Sequence, residues 1–171
     1  MNSSVFLIIT FLAGKTETTK KCLQLLSTLA GRHHTNSEDR IENKILATNP
    51  VLESFGNAKT ARNNNSSRFG KWIRINYNLD SDSDLQMIGG SITQYLLEKS
   101  RVVTHAPDER NYHIFYQLCA SGIMDLQPPA SYRYLRFSKN MKIPGVDDKL
   151  EFQATYDAMI HLGFTGISPL A

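Results

Sequence analysis

Ala13-Gly14-Lys15-Thr16 stands where an apolar run meets a helix-forming segment. That placement suits phosphate chemistry, because backbone N–H groups and the positive dipole end at a helix start cradle phosphate oxygens. Gly14 lets the main chain approach without a Cβ in the way. Lys15 can reach β- and γ-phosphates, and the Thr16 hydroxyl can ligate Mg2+. The tetrapeptide alone is a short signal. In the phosphate-loop pattern GxxxxGKS/T the first glycine falls on Ile9, and Thr10–Ala13 is largely apolar where a glycine-bearing turn is usual.

A second cluster lies in Asn63–Lys71, NNNSSRFGK. Asn63, Asn65, Ser66, Ser67 and Arg68 bring amides, hydroxyls and a guanidinium within six residues. That is the set a loop needs to sense a terminal phosphate and complete a Mg2+ shell. Composition alone also fits a Ser/Asn-rich surface turn ahead of a strand. The other candidates read as structure. His33-His34 has no carboxylate or thiol spaced to complete a metal site. The acidic Asp80–Asp84 turn lacks the glycine and glutamate of a calcium loop. Cys22 and Cys119, with no CxxC pair, read as reduced thiols. Tyr112, Phe115 and Tyr116 read as core aromatics.

The elements that must hold these residues follow from periodicity. Val5–Leu12 is rich in Ile, Val and Phe and reads as a buried parallel strand, Val5–Thr10; it is too short to span a bilayer and lacks the basic flank of a secretory signal. A helix over Lys15–Leu29 should bury Cys22, Leu25, Leu26 and Leu29 and stop at Gly31. Arg32–Asp39 is a polar loop. Glu38–Ala47 reads as one helix, and Asn49-Pro50 as the cap and first turn of the next, ended by Gly56. Phe69–Asn78 alternates, with Ile73, Ile75 and Tyr77 on one face. Leu85–Leu97 reads as its hairpin partner, with Gly89-Gly90 marking a bulge or a close backbone approach. Glu109–Cys119 and Asp147–Leu162 read as helices, the second with Phe152, Met159 and Leu162 inward. The 171 residues, 41% hydrophobic and 20% charged, can build a core. A net charge of +3 with both signs interspersed argues against nucleic-acid binding. Strands alternating with helices, plus one hairpin, indicate an α/β chain with a mixed sheet.

The wording of these blocks resembles the myosin motor domain. The matching stretches are AGKTETTKKCLQLL (Ala13–Leu26), NPVLESFGNAKTARNNNSSRFGKW (Asn49–Trp72), YLLEKSRVV (Tyr95–Val103) and ERNYHIFYQLC (Glu109–Cys119), with a looser match at Tyr132–Leu135 and Ile143–Phe164. The resemblance implies a P-loop NTPase-type mixed sheet with flanking helices, as an incomplete portion of a myosin head. It divides the chain into the P-loop strand (1–12), the P-loop end and helix (13–31), a variable surface loop (32–39), switch I (57–71), a transducer-like hairpin (69–97) and a helical segment (98–171). It implies that Ala13, Gly14, Lys15, Thr16, Asn63 and Asn65 bind nucleotide, that Thr16 and Ser67 ligate Mg2+, and that Ser66 and Arg68 are catalytic. Arg68 matches an arginine that pairs with a switch II glutamate, and with no switch II counterpart here it is expected to lack a glutamate partner in this chain. The implied cofactors are ATP and Mg2+. The implied partner is the actin filament, through regions outside these residues, in the cytoplasm and on the cytoskeleton; no membrane span and no light chains are expected. The alternative is a truncated, catalytically inactive remnant, or an incomplete gene model, with weak or no nucleotide binding.

Overall fold

The computed structural model describes residues 2–9, 15–29, 41–79, 85–123 and 125–165. Ala13, Gly14, His33, His34 and the 32–39 and 80–84 segments lie outside the described residues. The elements are β1 (Asn2–Ile9), α1 (Lys15–Leu29), α2 (Ile41–Gly56), β2 (Asn57–Ala58), β3 (Ser66–Ser67), β4 (Gly70–Leu79), β5 (Leu85–Tyr95), α3 (His113–Ser121) and α4 (Asp148–His161). They form two compact units. The first joins Met1–Leu46 with Gly70–Tyr95, and the second joins Ala47–Phe69 with Leu96–Ala171.

In the first unit a three-stranded sheet runs in the order β1-β4-β5. β4 pairs antiparallel with both neighbours, Ile9 facing Lys71 and Tyr95 facing Gly70. The α/β character is as expected, but the expected parallel pairing of the first strand is not. A continuous apolar run is usual for parallel strands but does not fix strand direction, and the pairing of β1 with β4 is antiparallel. Ile73, Ile75 and Tyr77 are buried on one face of β4, as the alternation predicts. They pack with Leu23 of α1 and Ile45 of α2, with Leu26, Ile41, Leu46, Met87 and Ile92 around them.

Met87 and Ile92 are an odd number of residues apart, so a regular strand would put them on opposite faces. Both reach the core because β5 is bulged. Asn76 faces Gly89 while Tyr77 faces Met87, leaving exposed Ile88 as the extra residue. Gly90 also provides close approach: a Cβ there would lie 2.8 Å from Ile45 Cδ1 and 3.3 Å from the Arg74 carbonyl. Both readings of the glycine pair therefore hold.

Two helix expectations change. On α1 the inward positions are Thr19 and Leu23, with Cys22 and Leu26 half-buried, while Leu25 is 58% exposed. The buried stripe is rotated to include Thr19, which is 5% exposed, in place of Leu25. Glu38–Ala47 and Asn49–Gly56 are not separate helices: α2 is continuous over Ile41–Gly56 with Pro50 inside it. A proline removes one backbone bond and crowds the preceding turn, a local penalty that tertiary packing can offset.

The second unit contains the last part of α2, the β2–β3 ribbon, and α3 packed with α4. Glu109–Tyr112 precedes α3 as non-helical chain, contrary to the expected helix start. Its backbone is engaged elsewhere, with Arg110 N donating to Lys59 O at 3.0 Å and Tyr112 bridging to Ala58. α3 closes at Gly122, whose φ of 76° is the left-handed conformation that glycine adopts at a helix C-cap. On α4, Asp147 caps by accepting from Lys149 N, and Phe152, Met159 and Leu162 are half-buried around buried Thr155 and Ala158. Gly56 ends α2 without a positive φ. Its role is spatial, since a Cβ there would overlap the buried ring of Phe69. Gly56→Ala should therefore destabilise the chain by about 1–3 kcal/mol, read as a lowered urea midpoint at constant m value.

Candidate functional site

The Asn63–Arg68 loop is built on a two-rung ladder. β2 and β3 pair antiparallel, Asn57 with Ser67 and Ala58 with Ser66. Ala58 is fully buried, so the ladder is anchored through it. The loop tip is closed by Thr60 and Asn63, Thr60 N donating to Asn63 O at 2.8 Å and Asn63 N approaching Thr60 Oγ1 at 3.2 Å. At the far end Arg68 N donates to Gly56 O at 2.9 Å.

Asn65 is the centre of this loop. Its Oδ1 accepts from Asn57 Nδ2 at 2.8 Å and from His113 Nε2 at 3.1 Å, and its Nδ2 donates to Glu53 Oε2 at 3.1 Å. Its backbone N donates to Asn63 Oδ1 at 2.9 Å. An amide oxygen shared this way requires the hydrogen of His113 to sit on Nε2. Burial, reinforced by the positive charge of Arg110, lowers the His113 pKa to about 4, so the ring is a neutral donor. Nearby, Ser54 Oγ donates to Gln117 Oε1 at 2.5 Å and ties α2 to α3.

The remaining polar groups of the loop face outward. Asn63 is exposed, and its Nδ2 has no partner among the described residues. Ser66 Oγ is half-buried and accepts from Arg68 Nη1 at 3.3 Å, which leaves its own hydrogen to donate. Ser67 Oγ donates to Phe69 O at 3.2 Å. A hydroxyl that gives its hydrogen to a carbonyl keeps its lone pairs for a hard cation. No group of three or more His, Cys, Asp or Glu side chains that could hold a metal occurs among the described residues. The Ser67 hydroxyl has the oxygen-donor chemistry of a Mg2+ ligand.

Arg68 does not lack a glutamate partner, as the sequence led one to expect. Its Nε lies 2.5 Å from Glu98 Oε2. Glu98 also binds Arg101, Nε to Oε2 at 2.9 Å, and Arg101 Nη1 reaches Glu109 Oε2 at 2.9 Å and Arg110 O at 3.1 Å. Burial pushes the Glu98 carboxyl up, but the hydrogen bonds and charges of Arg68 and Arg101 outweigh it and hold the pKa below its ordinary value.

Five expected site residues, Asn63, Asn65, Ser66, Ser67 and Arg68, are thus together on one loop. Lys15 and Thr16 open α1, in the first unit. Glu53, Asn57, Glu98 and His113 were missed as contributors. Glu98 had a readable signal: the hairpin register that pairs Gly70 with Tyr95 closes next to both Arg68 and Glu98. The others are brought in by tertiary packing that no local pattern announces.

The sequence matches the family model described as myosin head (motor domain) over residues 3–168. It is 46% identical over 159 residues to Myosin-1 of Aspergillus clavatus and of Aspergillus fumigatus, covering 90% of this chain and 12% of each relative. Myosin-1 of Pyricularia oryzae is likewise 46% identical over 159 residues, with 13% of its length covered. The chain thus spans about an eighth of the length of these curated relatives. With the match extending over nearly every residue, the chain belongs to the myosin head (motor domain) family.

Proposed function

We propose that the chain is the nucleotide-sensing segment of an actin-based motor, in which ATP hydrolysis with Mg2+ is coupled to movement on actin filaments of the cytoplasmic cytoskeleton. The observation that carries this reading is the division of labour within the loop. The Asn65 amide is spent on Asn57, His113 and Glu53, which fixes the backbone, while Asn63 Nδ2 and the Ser66 and Ser67 hydroxyls remain available to a ligand.

On this reading Asn63 Nδ2 donates to a phosphate oxygen, and Asn65 serves nucleotide binding by shaping the loop. Ser66, held at its oxygen by Arg68, offers its hydrogen beside the terminal phosphate and the attacking water. Ala13, Gly14 and Lys15 are assigned to nucleotide binding, Lys15 through its ammonium group. Thr16 and Ser67 hold Mg2+, which neutralises phosphate charge when bound. Positioned dipoles and charges carry the stabilisation, with no covalent intermediate on the protein. The implied sheet is of the P-loop NTPase type, to which β4 and β5 add a transducer-like hairpin. Actin binding and movement are assigned to regions outside these residues. No described helix is long and apolar enough to cross a membrane.

A second reading, weak or absent nucleotide binding by this chain, is favoured by the apolar Thr10–Ala13 stretch before Gly14-Lys15-Thr16. Titrating the purified chain with a fluorescent ATP analogue and Mg2+ separates the two. Saturable binding is expected, weakened at least tenfold by Lys15→Ala and several-fold by Asn63→Ala, as lost charged and neutral phosphate contacts imply. No saturable signal, or one indifferent to both substitutions, would establish the second reading.

A further inference from the structure

Acidic and basic residues are interspersed along this chain except in one stretch. Leu126–Val146 carries Arg133, Arg136, Lys139 and Lys142 and no Asp or Glu, so against a net charge of +3 the rest of the chain is net acidic. The four cations recur at every third residue. Leu135 and Ser138 are buried and Met141 is half-buried, at the same spacing, while all four cations are exposed. Between them stand Tyr134 and Phe137, which are 47% and 48% exposed. Arg136 lies over the Phe137 ring at 5.9 Å. A row of positive charge thus runs beside two outward aromatic rings.

The backbone beneath them is pinned. Asn111 Nδ2 donates to Tyr134 O at 3.1 Å, Arg136 N donates to Tyr132 O at 3.0 Å and Lys139 N donates to Pro107 O at 2.7 Å. The fold therefore holds both rings out in water, the arrangement of an interfacial anchor. The acids that follow are engaged elsewhere: Asp147 caps α4 and Asp148 receives Arg110. None of the four cations forms an ion pair with an acidic side chain among the described residues. A protein carboxylate is read by an oriented fork, as Asp148 is read by Arg110. No carboxylate orients the cations of this strip in that way, and they are two guanidinium and two ammonium groups. Such a set reads density of negative charge, and exposed rings add an apolar contribution at the level of lipid headgroups.

We propose that Arg133–Lys142 is a contact surface for an anionic lipid bilayer, with the four cations over phospholipid headgroups and Tyr134 and Phe137 entering the interface. The contact is reversible, since a few charges and two rings amount to neither a span nor a covalent anchor. It shares no residue with the candidate loop, and the nucleotide reading stands or falls without it.

The test is co-sedimentation of the purified chain with vesicles of phosphatidylcholine alone and of phosphatidylcholine mixed with phosphatidylserine, at fixed ionic strength. Binding is expected to the mixed vesicles and not to the neutral ones, and it should fall with added salt. Arg136→Gln and Lys142→Gln should each weaken it about fivefold, the effect of one cation lost near such a surface. Lys21→Gln makes the same change in net charge at an exposed position of α1 and should weaken it less than about twofold. Phe137→Ser should weaken it at unchanged charge. These positions are all exposed, and urea midpoints verify that the variants fold. No binding of the unaltered chain to mixed vesicles, or equal losses from Lys21→Gln and Arg136→Gln, would overturn the proposal. Capture on an immobilised glutamate-rich peptide without vesicle binding would also overturn it and assign the strip to an acidic protein partner.

Discussion

Asp148→Ala is expected to cost about 3–5 kcal/mol of folding stability, the largest single effect in the described residues outside the apolar core. Arg110 is fully buried, its guanidinium 3.9 Å above the Tyr116 ring centroid. Its Nη1 and Nη2 donate to Asp148 Oδ2 and Oδ1 at 3.2 and 2.8 Å, a bidentate fork onto the first turn of α4. The carboxylate is 17% exposed, and Arg110 Nε has no partner among the described residues. Removing Asp148 strands a buried cation already one acceptor short. The same principle predicts that the double change Arg110→Met with Asp148→Leu recovers most of the loss, because a buried pair and an apolar pair of similar volume are nearly equivalent. Equilibrium urea unfolding of the two variants checks this. A single variant that loses less than about 1 kcal/mol would place the pair among solvated surface contacts.

The second large effect is a loss of stability in mild acid. Folded His113 titrates near pH 4, against an ordinary value of 6.5, because burial and the Arg110 charge oppose its protonation. Below pH 6.5 the unfolded chain takes up this proton while the folded chain does not. The unfolded state therefore binds more protons, and stability falls as pH drops from about 6.5 to about 4. The full window amounts to about 3 kcal/mol. Glu98 has the carboxylate sign: its lowered pKa contributes stability above its ordinary value of 4.5 that is lost as pH falls through the folded value. The two windows are sequential, so denaturation midpoints at pH 7, 5.5 and 4.5 report His113 first. The slope over that range should flatten in His113→Gln, which keeps an amide donor toward Asn65 without a titrating ring. An unchanged slope in that variant would assign the acid sensitivity to other groups.

How much of this was legible in the sequence depends on how local each signal is. Alternation in β4 placed Ile73, Ile75 and Tyr77 correctly because one buried sheet face is written at every second residue. The α1 face was misplaced because its stripe carries Thr19 and leaves Leu25 in solvent, a choice made by the neighbours of the helix. Glu109–Tyr112 reads as helix by composition, yet its backbone groups go to Lys59 and Ala58, some fifty residues earlier. The candidate loop was identifiable as a group from adjacent residue types. Its supports were not, since Glu53, Asn57 and His113 meet only through packing, and Asn65 looked like a ligand contact until its amide was found committed to them.

The extra residue at Ile88 gives β5 an odd parity, and parity restricts how this hairpin can change in length. Deleting Ile88 would leave Met87 and Ile92 four residues apart, so an unbroken ladder would hold both against the core and only the local bend and added twist of the bulge would be lost. A one-residue gap at Ile88 among related heads is therefore the length change this strand accommodates without turning a core side chain outward.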